Sequence, residues 1–153
     1  VSALIDPNAN KRILSWIEEA KAQGADINFG GELTDNALQP TLLSNVNKDM
    51  KVFFEEIFGP VITVSTYKDF NEAIELTNHS EYGLQVGVHT ESLTNALEAI
   101  ERIEAGSVHI NETSNFRPDH MPYGGVKDSG IGKEGPKYVI DELTSKKVVT
   151  MKL

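Results

Sequence analysis

Between Val61 and Ile110 the sequence alternates between strand and helix periodicity, and this restricts the fold more than any other feature. Val61, Ile62, Thr63, Val64, Thr66 and Tyr67 are β-branched or aromatic and predict a strand over 61–67. Asp69 is placed to cap a helix that carries Phe70, Ala73, Ile74 and Leu76 and ends near Asn78. Leu84 to His89 predicts a second strand. Ser92 or Thr94 then opens a helix with Leu93, Ala96, Leu97, Ile100 and Ile103 on its apolar face, stopped by Gly106. Ser107 to Ile110 completes a β-α-β-α-β run. Helices returning the chain between strands imply right-handed crossovers and a sheet covered on both faces. The expected fold class is α/β, a three-layer α/β/α arrangement around a mainly parallel sheet.

The flanks fit the same scheme. Asp6 and Pro7 suit the start of a helix that Gly24 ends, with Ile13, Leu14, Ile17 and Ala20 as its apolar stripe. Ala25 to Phe29 predicts a short strand closed by Gly30 and Gly31. Pro40 to Val46 predicts another after the turn-rich stretch Glu32 to Asn36. From Asn111 to Lys133 the pattern is irregular, with Pro118, Pro122, Gly124, Gly125, Gly130 and Gly132 and no period. A long unstructured loop inside a compact domain commonly carries function. Glu134 to Leu143 predicts a closing helix, and Lys146 to Leu153 a final strand whose exposed edge could pair with another chain.

Composition narrows the function classes. The chain has 153 residues, enough for one ordinary domain. Its 14 Lys and Arg against 23 Asp and Glu give a net charge of -9. Such a surface repels phosphate backbones and anionic lipid, which argues against nucleic-acid and membrane partners. No apolar run approaches the roughly 20 residues of a spanning helix, and no signal segment opens the chain. There is no cysteine, which removes disulfides, thiolate metal sites and thiol catalysis within this chain and fits a cytoplasmic setting. The opening at Val1 rather than Met suggests a piece of a longer protein.

Several constellations could carry chemistry. In Glu55-Glu56-Ile57-Phe58-Gly59-Pro60 one carboxylate near an aromatic ring, held by a Gly-Pro turn, could bind a ribose diol beside a flat ring. The alternative is a solvated acidic helix end followed by a core Phe. Gly130-Ile131-Gly132-Lys133-Glu134-Gly135 fits G-x-G-x-x-G by letter. However, no strand precedes it, Pro136 follows it, and the chain ends before any second strand could supply an acidic partner. A tight turn into the last helix is the expected reading. The loop Asn111 to Gly125 gathers amides, hydroxyls, Arg117, Phe116 and Tyr123 at the end of a parallel strand, where open α/β sheets bind ligands. Alternatively, this loop is merely tied down by its own hydrogen bonds, with Arg117 pairing with Asp119. His79, His89, His109 and His120 lack i, i+3 or i, i+4 spacing, so no metal site is expected. Asn78-His79-Ser80 and Asn111-Glu112-Thr113 match glycosylation acceptors without secretory context, and no Ser-His-Asp set is arguable.

In order along the chain, Glu55-Glu56-Ile57-Phe58-Gly59-Pro60-Val61, Asn78-His79-Ser80-Glu81-Tyr82-Gly83-Leu84, Gly106-Ser107-Val108-His109-Ile110-Asn111 and Pro122-Tyr123-Gly124-Gly125-Val126-Lys127-Asp128-Ser129-Gly130 resemble the C-terminal part of the aldehyde dehydrogenase superfamily. The ending Leu143-Thr144-Ser145-Lys146-Lys147-Val148 is similar as well. The resemblance implies oxidation of an aldehyde to a carboxylic acid with NAD or NADP. In that chemistry a cysteine thiolate forms a thiohemiacetal, a hydride passes to nicotinamide, and Glu-activated water hydrolyses the thioester. It implies that Glu56 meets the nicotinamide-side ribose and that Phe58 lies beside the nicotinamide. Tyr123 would line the aldehyde tunnel, with Asn111 to Phe116, including Ser114 and Phe116, at its mouth.

The nucleophilic Cys, the base Glu and the oxyanion-hole Asn of the family would all precede this segment. The resemblance therefore implies a fragment that is inert alone: residues 1–144 as part of the catalytic domain and residues 145–153 as an oligomerisation strand of a dimeric or tetrameric parent. Arg117-Pro118-Asp119-His120-Met121-Pro122-Tyr123 resembles the branch acting on lactaldehyde, glyceraldehyde 3-phosphate, phosphonoacetaldehyde or succinate semialdehyde. Arg117 is accordingly expected to anchor an anionic substrate group. A rival reading is a non-catalytic oligomerisation module. A third is a self-contained nucleotide-binding domain built on the G-x-G-x-x-G run.

Overall fold

A computed structural model describes residues 3–153, which fall into two units, one ending at Ser80 and one spanning Glu81–Leu153. In the first, helix α1 (Pro7–Ala22) begins where Asp6 accepts a hydrogen bond from the Asn8 amide at 2.9 Å. Asn10, Ile13, Ile17 and Ala20 recur at helical spacing and are buried, so this face of α1 enters the core. There they join Ala25, Leu38, Leu43, Val46, Met50 and Val52. Each fully buried aliphatic side chain contributes roughly 1.5–3 kcal/mol.

Strands β1 (Asp26–Phe29), β4 (Thr41–Ser44) and β5 (Val61–Val64) form one sheet in the order β1-β4-β5. β4 and β5 are parallel, with Leu42 opposite Ile62. β1 runs antiparallel to β4, so this sheet is mixed. β5 stops at Val64, short of the expected 67. The stretch expected to be only turns contains a two-residue hairpin, β2 (Leu33–Thr34) with β3 (Ala37–Leu38). Asp35 and Asn36 both adopt positive φ between them, the geometry that matches strand twist. Leu43 is buried towards α1, whereas Phe29, Leu42 and Ile62 are exposed on the opposite face. Helices α2 (Lys51–Phe54) and α3 (Phe70–Asn78) complete the unit. Asp69 caps α3 as its sequence position predicts, accepting from the Glu72 amide at 3.0 Å.

In the second unit, strands β7 (Gln85–Val88) and β8 (Ser107–Ile110) are parallel and joined by α4 (Leu93–Arg102), the β-α-β unit read from the sequence. Ser92 rather than Thr94 is the cap, accepting from Asn95 at 3.3 Å. The expected apolar face of α4 is only half covered. Ala96, Ala99 and Ile103 are buried, but Leu93, Leu97 and Ile100 are more than half exposed.

The irregular segment after Asn111 is more ordered than expected. Within it β9 (Val126–Lys127) pairs antiparallel with β6 (Tyr82–Gly83), and Tyr123 bridges to Glu134. Helix α5 (Pro136–Leu143) follows. Residues 145–153 form no strand with any other described residue and are exposed, because a strand requires a neighbouring ladder. No helix among the described residues is long and apolar enough to cross a membrane.

Candidate functional site

The Glu55 to Pro60 segment leaves α2 and enters β5 from its amino-terminal end. Glu55 and Glu56 are exposed, with carboxylate oxygens available as acceptors. Phe58 adopts φ 49° and is 72% exposed. A bulky residue rarely occupies the left-handed region unless its surroundings impose it. Those surroundings are visible on both sides. Arg12 Nη2 donates to the Ile57 carbonyl at 2.9 Å, while its guanidinium lies 4.6 Å over the Trp16 ring. A Cβ on Gly59 would lie 2.5 Å from Ile13 Cδ1, so glycine lets the chain pass against the core. The Pro60 carbonyl then accepts from the Thr41 amide at 2.8 Å, tying the segment to β4. Next to it lies an open apolar groove of about 430 Å³ bordered by Phe29, Leu42, Gly59, Pro60 and Ile62. Phe58 is thus presented outward and is not the core residue that the alternative reading required.

The second segment leaves the carboxyl end of β8. Asn111 has φ 57°, and its Oδ1 accepts from the Thr90 amide at 2.8 Å, so this residue serves the turn. The loop then crosses the sheet over Gly87, where an added Cβ would meet the Glu112 carbonyl at 2.6 Å. Thr113 Oγ1 hydrogen-bonds Asn115, and Ser114 is exposed. Phe116 stacks edge-on against His109, with ring centroids 5.8 Å apart. Gln85 Nε2 lies 3.2 Å from His109 Nε2 and donates to the Phe116 carbonyl at 3.4 Å, which anchors the loop to both strands.

Arg117 does not pair with Asp119. Its Nη2 donates to Glu134 Oε2 at 2.9 Å, and its guanidinium sits 3.9 Å over the Tyr123 ring. Tyr123 and Glu134 also exchange backbone hydrogen bonds, so the three residues form one cluster. Tyr123 and Glu134 border a pocket of about 420 Å³ together with Gly132, Lys133, Val139 and Glu142. Lys133 Nζ donates to the Gly124 carbonyl at 2.7 Å and closes one side. The G-x-G-x-x-G run forms a wall of this pocket and turns into α5, with positive φ at Gly130, Gly132 and Gly135.

Sequence reasoning reached Arg117 and Tyr123 but missed Glu134, Gln85, His109 and Arg12. Arg117 and Glu134 are 17 positions apart, beyond any local spacing rule. Glu134 entered the sequence reading only as part of the glycine run and as the start of the closing helix.

A family model for the aldehyde dehydrogenase family matches residues 1–149, and the chain belongs to that family. It is 46% identical over 143 residues to 3-sulfolactaldehyde dehydrogenase of Priestia megaterium, covering 94% of this chain and 30% of that protein. Among solved structures, aldehyde dehydrogenase 21 from Physcomitrella patens in complex with the reaction product succinate superimposes with a TM-score of 0.91 at 40% identity. That match covers 98% of this chain and 31% of that one. Glyceraldehyde-3-phosphate dehydrogenase GapN from Methanocaldococcus jannaschii complexed with NADP gives 0.84 at 35% identity, covering 92% and 30%. The chain therefore spans about a third of the length of the proteins it matches.

Proposed function

We propose that this chain is the part of an NAD(P)-dependent aldehyde dehydrogenase that binds the nicotinamide side of the cofactor and the tail of a small anionic aldehyde, which the parent oxidises to a carboxylic acid. The carrying observation is Arg117, whose guanidinium lies 3.9 Å over the Tyr123 ring and pairs with Glu134 at 2.9 Å. A planar guanidinium presents paired N–H donors that match carboxylate, sulfonate or phosphate oxygens. The relatives' substrates and ligands support this reading, since sulfolactaldehyde, succinate and glyceraldehyde 3-phosphate all carry such a group.

The exposed Glu56 carboxylate suits the ribose hydroxyls, and the outward Phe58 ring offers an apolar flank to the nicotinamide. The bound cofactor supplies the hydride acceptor. Tyr123 walls the aldehyde's path, with Ser114 and Phe116 at its mouth. Because the chain has no cysteine, it cannot form the thiohemiacetal itself. Residues 145–153, with alternating side chains and no ladder of their own, are assigned to strand pairing with another copy in a dimeric or tetrameric parent. A cytoplasmic setting fits the cysteine-free composition.

Steady-state kinetics test the assignment. The purified 153-residue chain should show no NAD(P)H production from any aldehyde. The full-length enzyme should prefer an anionic aldehyde to a neutral one of equal length. Turnover by the chain alone, or equal kcat/KM for the two substrates, overturns the proposal.

A further inference from the structure

We propose that His109, on β8, is a positioning residue that holds the Phe116 ring at the mouth of the aldehyde's path and so sets how bulky a substrate the parent enzyme accepts. The inference rests on the reading of Phe116 as a residue of that mouth and goes beyond it.

Alternation along a strand puts Gln85 and Gly87 of β7 on one sheet face, and the parallel register sets His109 of β8 opposite Gly87. The loop leaving β8 comes back across this face. Over Gly87 the crossing is backbone on backbone, since an added Cβ would lie 2.6 Å from the Glu112 carbonyl oxygen and 3.0 Å from the Ser114 nitrogen. A turn follows, in which the Phe116 amide donates to the Thr113 carbonyl at 3.2 Å. The Phe116 ring then meets the His109 imidazole edge-on, with centroids 5.8 Å apart and planes at 75°. Phe116 is 48% exposed, and among the described residues this is its one ring contact. A half-exposed side chain without such a contact samples its other staggered wells.

Gln85 links the two rings and defines the role of His109. Its Nε2 lies 3.2 Å from His109 Nε2 and donates to the Phe116 carbonyl at 3.4 Å. An amide nitrogen only donates, and turning the amide over would set its oxygen against the Phe116 carbonyl oxygen. This hydrogen-bond network therefore makes His109 Nε2 the acceptor and assigns the ring proton to Nδ1. One amide N–H holds the imidazole, and the other holds the backbone of the residue that the imidazole touches. Phe116 is thus fixed twice from the same sheet face, through its carbonyl and through its ring. The crossing at Gly87 already fixes the loop backbone, so the contribution of His109 falls on the ring.

The test uses the full-length dehydrogenase carrying this segment, with kcat and KM measured for a short anionic aldehyde and for a bulky aromatic one. His109→Ala should raise kcat/KM for the bulky aldehyde relative to the short one by about two- to tenfold, the range of one edge-to-face ring pair. The change should fall on KM rather than kcat, with KM for the dinucleotide unchanged. His109→Phe, which keeps a ring at this position, should restore the parental selectivity. Gln85→Leu, which removes only the amide, should shift selectivity the same way by a smaller factor. Because His109 acts through Phe116, the effects of His109→Ala and Phe116→Ala should not add in the double variant. Thermal unfolding identifies any variant that fails to fold, and Gln85→Leu supplies the kinetic data if His109→Ala does. If Phe116→Ala changes the selectivity while His109→Ala and Gln85→Leu do not, or if the two alanine effects add in full, the inference is overturned and the mouth assignment stands. If Phe116→Ala leaves the selectivity unchanged, the mouth assignment falls and the inference with it.

Discussion

Replacing Arg117 with alanine in the full-length dehydrogenase should discriminate charged from uncharged aldehydes, and the structure sets the size of the effect. The Arg117–Glu134 pair is largely solvent-exposed, with side chains 42% and 67% accessible, so its loss costs about 1 kcal/mol or less of stability. The stack on Tyr123 adds roughly 0.5–1 kcal/mol. Together they leave the folded protein within about 2 kcal/mol of the parent. An anchor for a substrate carboxylate, sulfonate or phosphate, in contrast, contributes about 1.5–3 kcal/mol as a charge-assisted hydrogen bond, or roughly 10- to 150-fold in kcat/KM. The assay compares kcat/KM for an anionic aldehyde and a neutral aldehyde of the same chain length in parent and variant. The loss should fall on the anionic substrate, with the neutral one changing less than about threefold. An equal loss for both would show that Arg117 serves only to tie its loop to Glu134, and the anion-anchor reasoning would fail.

Other substitutions probe the frame around these segments. An added Cβ at Gly106 would lie 1.8 Å from the Gly124 carbonyl, so Gly106→Ala should destabilise by about 3 kcal/mol or more in denaturant unfolding; a loss under 1 kcal/mol would contradict the described loop path. Ile17 is fully buried in the first unit, and Ile17→Ala should cost about 2–5 kcal/mol by the same measurement. Phe58→Gly removes a mostly exposed ring and a left-handed strain. Stability should hold or rise by up to about 1 kcal/mol while dinucleotide affinity falls, and a clear drop in melting temperature would show that the ring is packed rather than presented.

Local chemistry was readable where the controlling atoms lie within a few residues. Asp6, Asp69 and Ser92 cap helices because a short acceptor can reach an amide two or three positions on, and that reach is written in the spacing. Strands β2, β3 and β9 escaped notice because two residues cannot display an alternation, although Asp35-Asn36 is a recognisable hairpin turn. For α4 the period of 3.6 aligned Leu93, Leu97 and Ile100 correctly. Periodicity cannot say which neighbour arrives, however, and among the described residues the stripe through Ala96, Ala99 and Ile103 is buried while Leu93, Leu97 and Ile100 stay exposed. The same limit applies to residues 145–153, whose alternation is legible in the sequence but which form no strand with any described residue. Asp119 was the nearest acid to Arg117 along the chain, yet the fold delivered Glu134, because the Tyr123–Glu134 bridge brings remote positions together.

The glycine beneath the loop at position 87, and the one that meets Gly124 at position 106, mark which parts of this site tolerate redesign. At those points backbone lies on backbone, and no side chain can be admitted without moving the whole crossing. Ser114, Phe116 and Arg117 hang from the same strip of chain with their side chains at the surface. On the proposed assignment of these residues to the aldehyde's path, exchanging Ser114 or Phe116 on this frame should alter substrate preference, whereas an acidic residue at 117 would face Glu134 and lose the pair that holds the loop.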